Sequence, residues 1–185
     1  VSKPTVYGAF GPSNIIKKDG YYYAMYQSEA DPYNNSDWGA CLMRTADLAS
    51  GSAWQIWTAA GWNDDPAARC QPIDRDNIEK MHESLTYNTY LNAYVLVGLK
   101  YGPPGQGIYY STSTDLFNWT PAVKIMSTDN SIAYPSLIDP SDTSRNFEFT
   151  GQEPYLYYTL FKGGMNRDLI RQEIRFTKAI PTTTP

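Results

Sequence analysis

His82 is the only histidine in the chain, and Glu83 follows it at once. An imidazole next to a carboxyl is a pair suited to moving protons. The pair opens "MHESLTY" (81–87), the beginning of an apolar, strand-like run. A carboxyl buried there without a partner is favoured in its protonated form. A protonated carboxyl is what a general acid needs to hand a proton to a departing oxygen. The structural alternative is an ion pair, with Arg44 or Arg69 as partner. One histidine is too few ligands for a metal site, and no cofactor is expected.

The elements that position Glu83 are visible as a repeat. Three stretches align: "GPSNIIKKDGYYYAMY" (11–26), "HESLTYNTYLNAYVLVG" (82–98) and "YPSLIDPSDTSRNFEFTGQEPYLYYTLF" (134–161). A serine recurs at Ser13, Ser84 and Ser136, followed each time by a short apolar strand, a turn and a second strand. Asp19-Gly20 is a strong hairpin signal. A second motif follows in two copies: "CLMRTADLASGSAWQIW" (41–57) matches "IYYSTSTDLFNWTPAVKI" (108–125). In both, Asp47 or Asp115 stands in a turn that Asp commonly organises through nearby backbone. The third copy has "DLIRQEIRF" (168–176) there, without that turn. Each unit reads as about four antiparallel strands, and residues 73–81 as one or two helical turns. The expected fold is all-β, with β-propeller blades of four antiparallel strands over about 11–58, 82–126 and 134–178. Residues 179–185 read as a Pro/Thr-rich linker or tail.

Composition agrees with this and narrows the partners. Tyr alone numbers 16 of the 185 residues, which favours half-buried β surfaces and suits a carbohydrate partner through ring stacking. A net charge of −4 speaks against a nucleic-acid partner, which usually calls for a basic patch. No apolar run approaches the roughly 20 residues needed to cross a membrane. The chain opens on Val1, as a processed or excised piece would, and the tail fits a secreted modular protein.

The "GPS…DGYYYAMY" opening, the Thr/Ser-x-Asp-Leu…Trp turns and the "HESL" and "YPSL" strand starts resemble the five-bladed β-propeller glycoside hydrolases, families 43 and 32 and their relatives. The resemblance implies polysaccharide as substrate or ligand and carboxylates at the starts of innermost strands. Family 43 enzymes use an Asp base, a Glu acid and a second Asp that tunes the acid. Only about three blades are present. The others belong to a missing part of the polypeptide, or another copy of the chain completes the ring.

Propeller topology places the mouth segments at 28–38, 59–82, 99–106, 127–135 and 162–167. The candidate catalytic residue is Glu83, which stands where the other copies have Pro12 and Pro135. Candidate substrate-binding residues are His82, Trp38, Trp62, Tyr134, Arg44 and Asp37. The base would come from missing blades or from a loop acid such as Asp31, Asp37 or Asp64. Cys41 and Cys70 both fall near the mouth, where a disulfide would be worth on the order of 3 kcal/mol; two free thiols are the alternative. The functional expectation is a secreted glycoside-hydrolase-like module acting on an arabinose- or xylose-containing polysaccharide. The alternative is a non-catalytic carbohydrate-binding or structural propeller module.

Overall fold

The structure, a computed structural model, describes residues 9–28, 39–49, 51–65, 68–101, 104–128 and 131–178. These form three sheets and a single helical turn. In the first sheet, β1 (Ala9–Phe10) and β2 (Ile16–Lys18) both pair with β3 (Tyr21–Ser28), followed outward by β4 (Gly39–Thr45), β5 (Gln55–Thr58) and β6 (Gly61–Asn63). Asp19 and Gly20 join β2 to β3 with φ of 49° and 82°, the left-handed pair that a tight hairpin requires.

The helical turn α1 (Arg75–Ile78) lies in the link to the second sheet. That sheet runs outward as β7 (Ser84–Asn88), β8 (Ala93–Lys100), β9 (Gly107–Ser113) and β10 (Val123–Ser127). The third is β11 (Ile132–Ile138), β13 (Tyr155–Phe161) and β14 (Arg167–Glu173). Between them β12 (Phe149–Thr150) pairs in parallel with β7. These are propeller blades, each antiparallel from its inner strand outward.

Two blades depart from the expected four strands. The first gains β6, because Ala59 and Ala60 turn the chain back on β5, with Thr58 Oγ1 donating to Gly61 O at 2.8 Å. The third has three strands among the described residues. Past β14 the chain extends the same ladder, Ile174 N donating to Pro154 O and Phe176 N to Gln152 O, so over the described residues it does not turn back as a fourth strand.

The core lies between blades, and alternation assigns its faces. Along β8, Tyr94 and Leu96 join Tyr23, Met25, Leu42 and Leu85 in the cluster between the first and second blades. Val95, Val97 and Leu99 point the other way and meet Ile132, Leu137 and Leu156 of the third. A strand covered on both faces reads as a continuous apolar run, which is why "AYVLVGL" shows no polar side. The outer face of the third blade is different: Leu169 is 73% exposed.

Near the axis, Asn14 ties the blades together. Its amide donates to Leu85 O, Asn146 O and Phe147 O, and its Oδ1 accepts from Leu85 N at 2.8 Å.

Candidate functional site: the mouth cavity

The three equivalent strand starts converge. Gly11 and Pro12, His82 and Glu83, and Tyr134 and Pro135 line one cavity of about 350 Å³, together with Gln27, Leu99, Tyr101, Ala133 and Ser136. Two of the recurring serines brace the walls. Ser13 Oγ accepts from Met25 N at 3.0 Å within its own blade. Ser84 Oγ accepts from Leu137 N at 3.0 Å in the next one.

Glu83 is held from the main chain. Oε2 accepts from His82 N at 3.0 Å and Oε1 from Leu99 N at 3.2 Å. Its side chain keeps 15% of its exposure, enough to reach the cavity while fixed in position. Gly98 makes room for it: a Cβ there would collide with Glu83 Oε2 and sit 2.8 Å from Met81 Cβ. Neither Arg44 nor Arg69 lines this cavity, and the described contacts of Glu83 are to His82 and Leu99.

His82 is buried. Its Nδ1 lies 2.7 Å from Lys80 O. A carbonyl can only accept, so Nδ1 carries a proton, and in a neutral ring Nε2 is then the acceptor. Nε2 points toward Gly11, where a Cβ would stand 3.0 Å away and φ is +57°; space and backbone conformation both favour glycine.

Tyr134 is 63% exposed with φ of 57°. The β11–β13 register shifts between Ala133 and Ser136, and this irregularity lifts the ring to the cavity rim. A non-glycine residue in that conformation is uncommon and costs of order 1 kcal/mol or more. In the same lining, burial first and the charge of Glu83 second push the pKa of the Tyr101 hydroxyl up, so at neutral pH it is a donor. Among the described residues no group of three or more His, Cys, Asp or Glu is arranged to hold a metal.

The other sequence candidates lie elsewhere. Trp62 and Arg44, expected at the mouth, sit at the opposite end of the first blade. β4 leaves the mouth at Gly39, and Arg44 is five residues on, about 16 Å away. Trp62 follows the β5–β6 turn back to that end, and the Arg44 guanidinium lies 4.1 Å from the ring centres of both Tyr21 and Trp62. Asp64, a candidate base, lines a separate rim cleft there. Asp31, Asp37 and Trp38 lie outside the described residues. Cys41 and Cys70 form a disulfide across a sequence separation of 29. Gln27, Leu99 and Tyr101 carry no distinctive sequence pattern, although Gly98 inside a strand is a recognised sign of close approach.

No family profile and no curated protein matches the chain. Solved structures do. The catalytic domain of a GH62 α-L-arabinofuranosidase from Coprinopsis cinerea superposes with a TM-score of 0.55 at 13% identity, covering 94% of this chain and 48% of that one. A thermostable family-43 glycoside hydrolase gives 0.55 at 14%, covering 94% and 51%. An α-L-arabinofuranosidase from Podospora anserina, in complex with cellotriose, gives 0.54 at 14%, covering 94% and 49%. The chain spans about half the length of these structures, and at such identities the likeness is one of fold. Over that half, the chain has the β-propeller fold of these glycoside hydrolases.

Proposed function

We propose that the chain is part of a glycoside-hydrolase-like propeller that takes an arabinose- or xylose-containing polysaccharide at the mouth cavity, with Glu83 as the proton-donating carboxyl. The observation that carries this reading is Glu83 itself. It is the carboxyl that faces the cavity at a position where the other two strand starts hold proline.

Hydrolysis by inversion needs two carboxyl groups about 6.5–9.5 Å apart, with a water between base and sugar. Glu83 would give its proton to the glycosidic oxygen as the C–O bond breaks. The base would take a proton from the water that attacks the other side of the sugar ring. Among the described residues lining the cavity, Glu83 is the one carboxyl. The base would come from Asp31 or Asp37, from further blades, or from a second copy. Tyr134 would stack on a sugar ring, and His82 Nε2 would accept a hydrogen bond from a sugar hydroxyl. The Cys41–Cys70 disulfide supports an oxidising, extracellular setting. Among the described residues no helix is long and apolar enough to cross a membrane.

A second reading is a carbohydrate-binding module without catalysis. Pro12 and Pro135 favour it, since two of three strand starts bring no carboxyl to the cavity.

Hydrolysis of arabinan, xylan and the matching nitrophenyl glycosides, by wild type and Glu83→Gln side by side, separates the two. A working acid predicts a loss of about 10²-fold or more in the variant. Equal rates would remove Glu83 from the mechanism. No hydrolysis by either protein would leave the binding reading.

A further inference from the structure

The residues displaced from the mouth cluster around a cleft at the far end of the first blade. Tyr21, Asp47, Ser52, Gln55 and Asp64 line this open cleft of about 320 Å³. Behind it the Arg44 guanidinium is clamped between the Tyr21 and Trp62 rings, 4.1 Å from each centre. Trp62 is in turn packed edge-on against Trp57 at 5.3 Å. A guanidinium stacked on both faces is restrained. It uses Nε to donate to Gln55 Oε1 at 2.8 Å. That contact fixes the amide's orientation, and Gln55 Nε2 donates to Asp64 Oδ1 at 2.9 Å.

We propose that this rim cleft is a second saccharide-binding site, which holds the polymer away from the mouth. The proposal rests on the reading of the ligand as polysaccharide. The chemistry of the lining selects that class. Carboxylates at Asp47 and Asp64 repel anions and accept hydrogen bonds from hydroxyls, the Gln55 amide is held in one orientation, and Tyr21 offers an aromatic edge. An open cleft with a few pre-positioned planar polar groups fits a neutral, polyhydroxylated chain.

Its place in the fold supports this. Tyr21, Tyr23, Trp57 and Trp62 all pack on the side of the first blade that meets the second. Blades added beyond the first would stack on its other face, so the cleft stays open in a complete ring. The separation suits a polymer: from Tyr21 in the cleft to Gln27 in the mouth cavity, along β3, is about 20 Å.

The test is retardation in native gels cast with soluble arabinoxylan or linear arabinan, against polymer-free gels. Wild type is expected to be retarded. The double variant Gln55→Ala/Asp64→Ala is expected to bind at least about threefold more weakly, as loss of one or two hydrogen bonds implies. Circular dichroism verifies its fold. Ser52→Trp, which fills the cleft without touching the Arg44 clamp, is the second variant and should lose retardation equally. Absence of retardation in wild type, or equal retardation in well-folded variants, overturns the proposal. Hydrolysis in the Glu83 comparison reads the mouth, and the difference in retardation between wild type and the rim variants reads the rim, so either reading can fail without the other.

Discussion

The starts of β7 and β11, and the segment leading into β2, occupy equivalent places around one cavity and differ in what they bring to it. Ser13 and Ser84 do comparable work, each accepting a main-chain N–H of an adjoining strand. One residue earlier the copies diverge, to Pro12, Glu83 and Pro135. The serine position repeats and braces the scaffold in two of the copies, whereas the residue before it changes from proline to Glu83 in one. That is the pattern expected where a rigid framework carries chemistry on a few side chains. It also explains why Glu83 needs Gly98 opposite it, since a carboxyl must fit where the other copies have a proline ring.

The largest effect is expected from Gly98→Ala. The new methyl would meet Met81, which is fully buried, and Glu83 Oε2. Overpacking of this kind costs about 2–3 kcal/mol, read as a fall in the urea midpoint. In a Glu83→Ala background one of the two colliding groups is gone, so the cost should shrink. The non-additivity measures how far Gly98 exists to admit Glu83. An equal cost in both backgrounds would assign Gly98 to the packing of Met81 alone.

Asn14→Ala tests whether the starts are held together as a unit. The substitution removes a donor shared by Leu85 O, Asn146 O and Phe147 O and the acceptor for Leu85 N. Leu85 is fully buried, so its N–H would be left without a partner, and the expected loss is about 2 kcal/mol. A loss under about 0.5 kcal/mol, the scatter of surface substitutions, would mean that apolar packing alone aligns the blades.

Much of this arrangement was legible in the sequence, for stated physical reasons. Asp19-Gly20 demands two left-handed residues, and the structure has them. The serine and Asp-Leu motifs marked blade units because each does a fixed backbone task. The displacement of Trp62 and Asp64 was hidden. Only Gly61, with φ of 103°, marks the turn that sends β6 away from the mouth, and "TAAGW" reads as easily as a long link. Arg44 illustrates a different limit. Its type suited a partner for Glu83, but strand direction puts it at the wrong end of β4. That the third blade has three strands among the described residues had one clue, the missing Asp-Leu…Trp turn after β14. The contacts of Glu83 were invisible because main-chain donors have no residue type.

The smallest effect comes from the repeated turn, where two copies of one motif can be compared directly. Asp115 accepts from Phe117 N and Asn118 N, both at 2.8 Å, and from the Asn118 amide at 2.7 Å. Asp47 accepts from Ala49 N at 3.0 Å. Asp115→Ala is therefore expected to cost about 1–2 kcal/mol, and Asp47→Ala about 0.5 kcal/mol. The carboxyl of Asp115 adds a pH signature. Burial works against its ionisation, but the hydrogen bonds from Asn118, Phe117 and Ser113 outweigh it and lower the pKa to about 2. A folded value below the unfolded one, about 3.9, means that this stabilisation is complete above that range. It is lost as pH falls from about 4 through about 2. The gap in urea midpoint between wild type and Asp115→Ala should thus be constant from pH 7 to 5 and narrow toward pH 2. The gap is the proper readout, because Asp139 and Asp142 are also held low against the pull of burial by their own turn hydrogen bonds and act equally in both proteins. A gap unchanged down to pH 2 would show that Asp115 serves the turn as a hydrogen-bond acceptor irrespective of its charge.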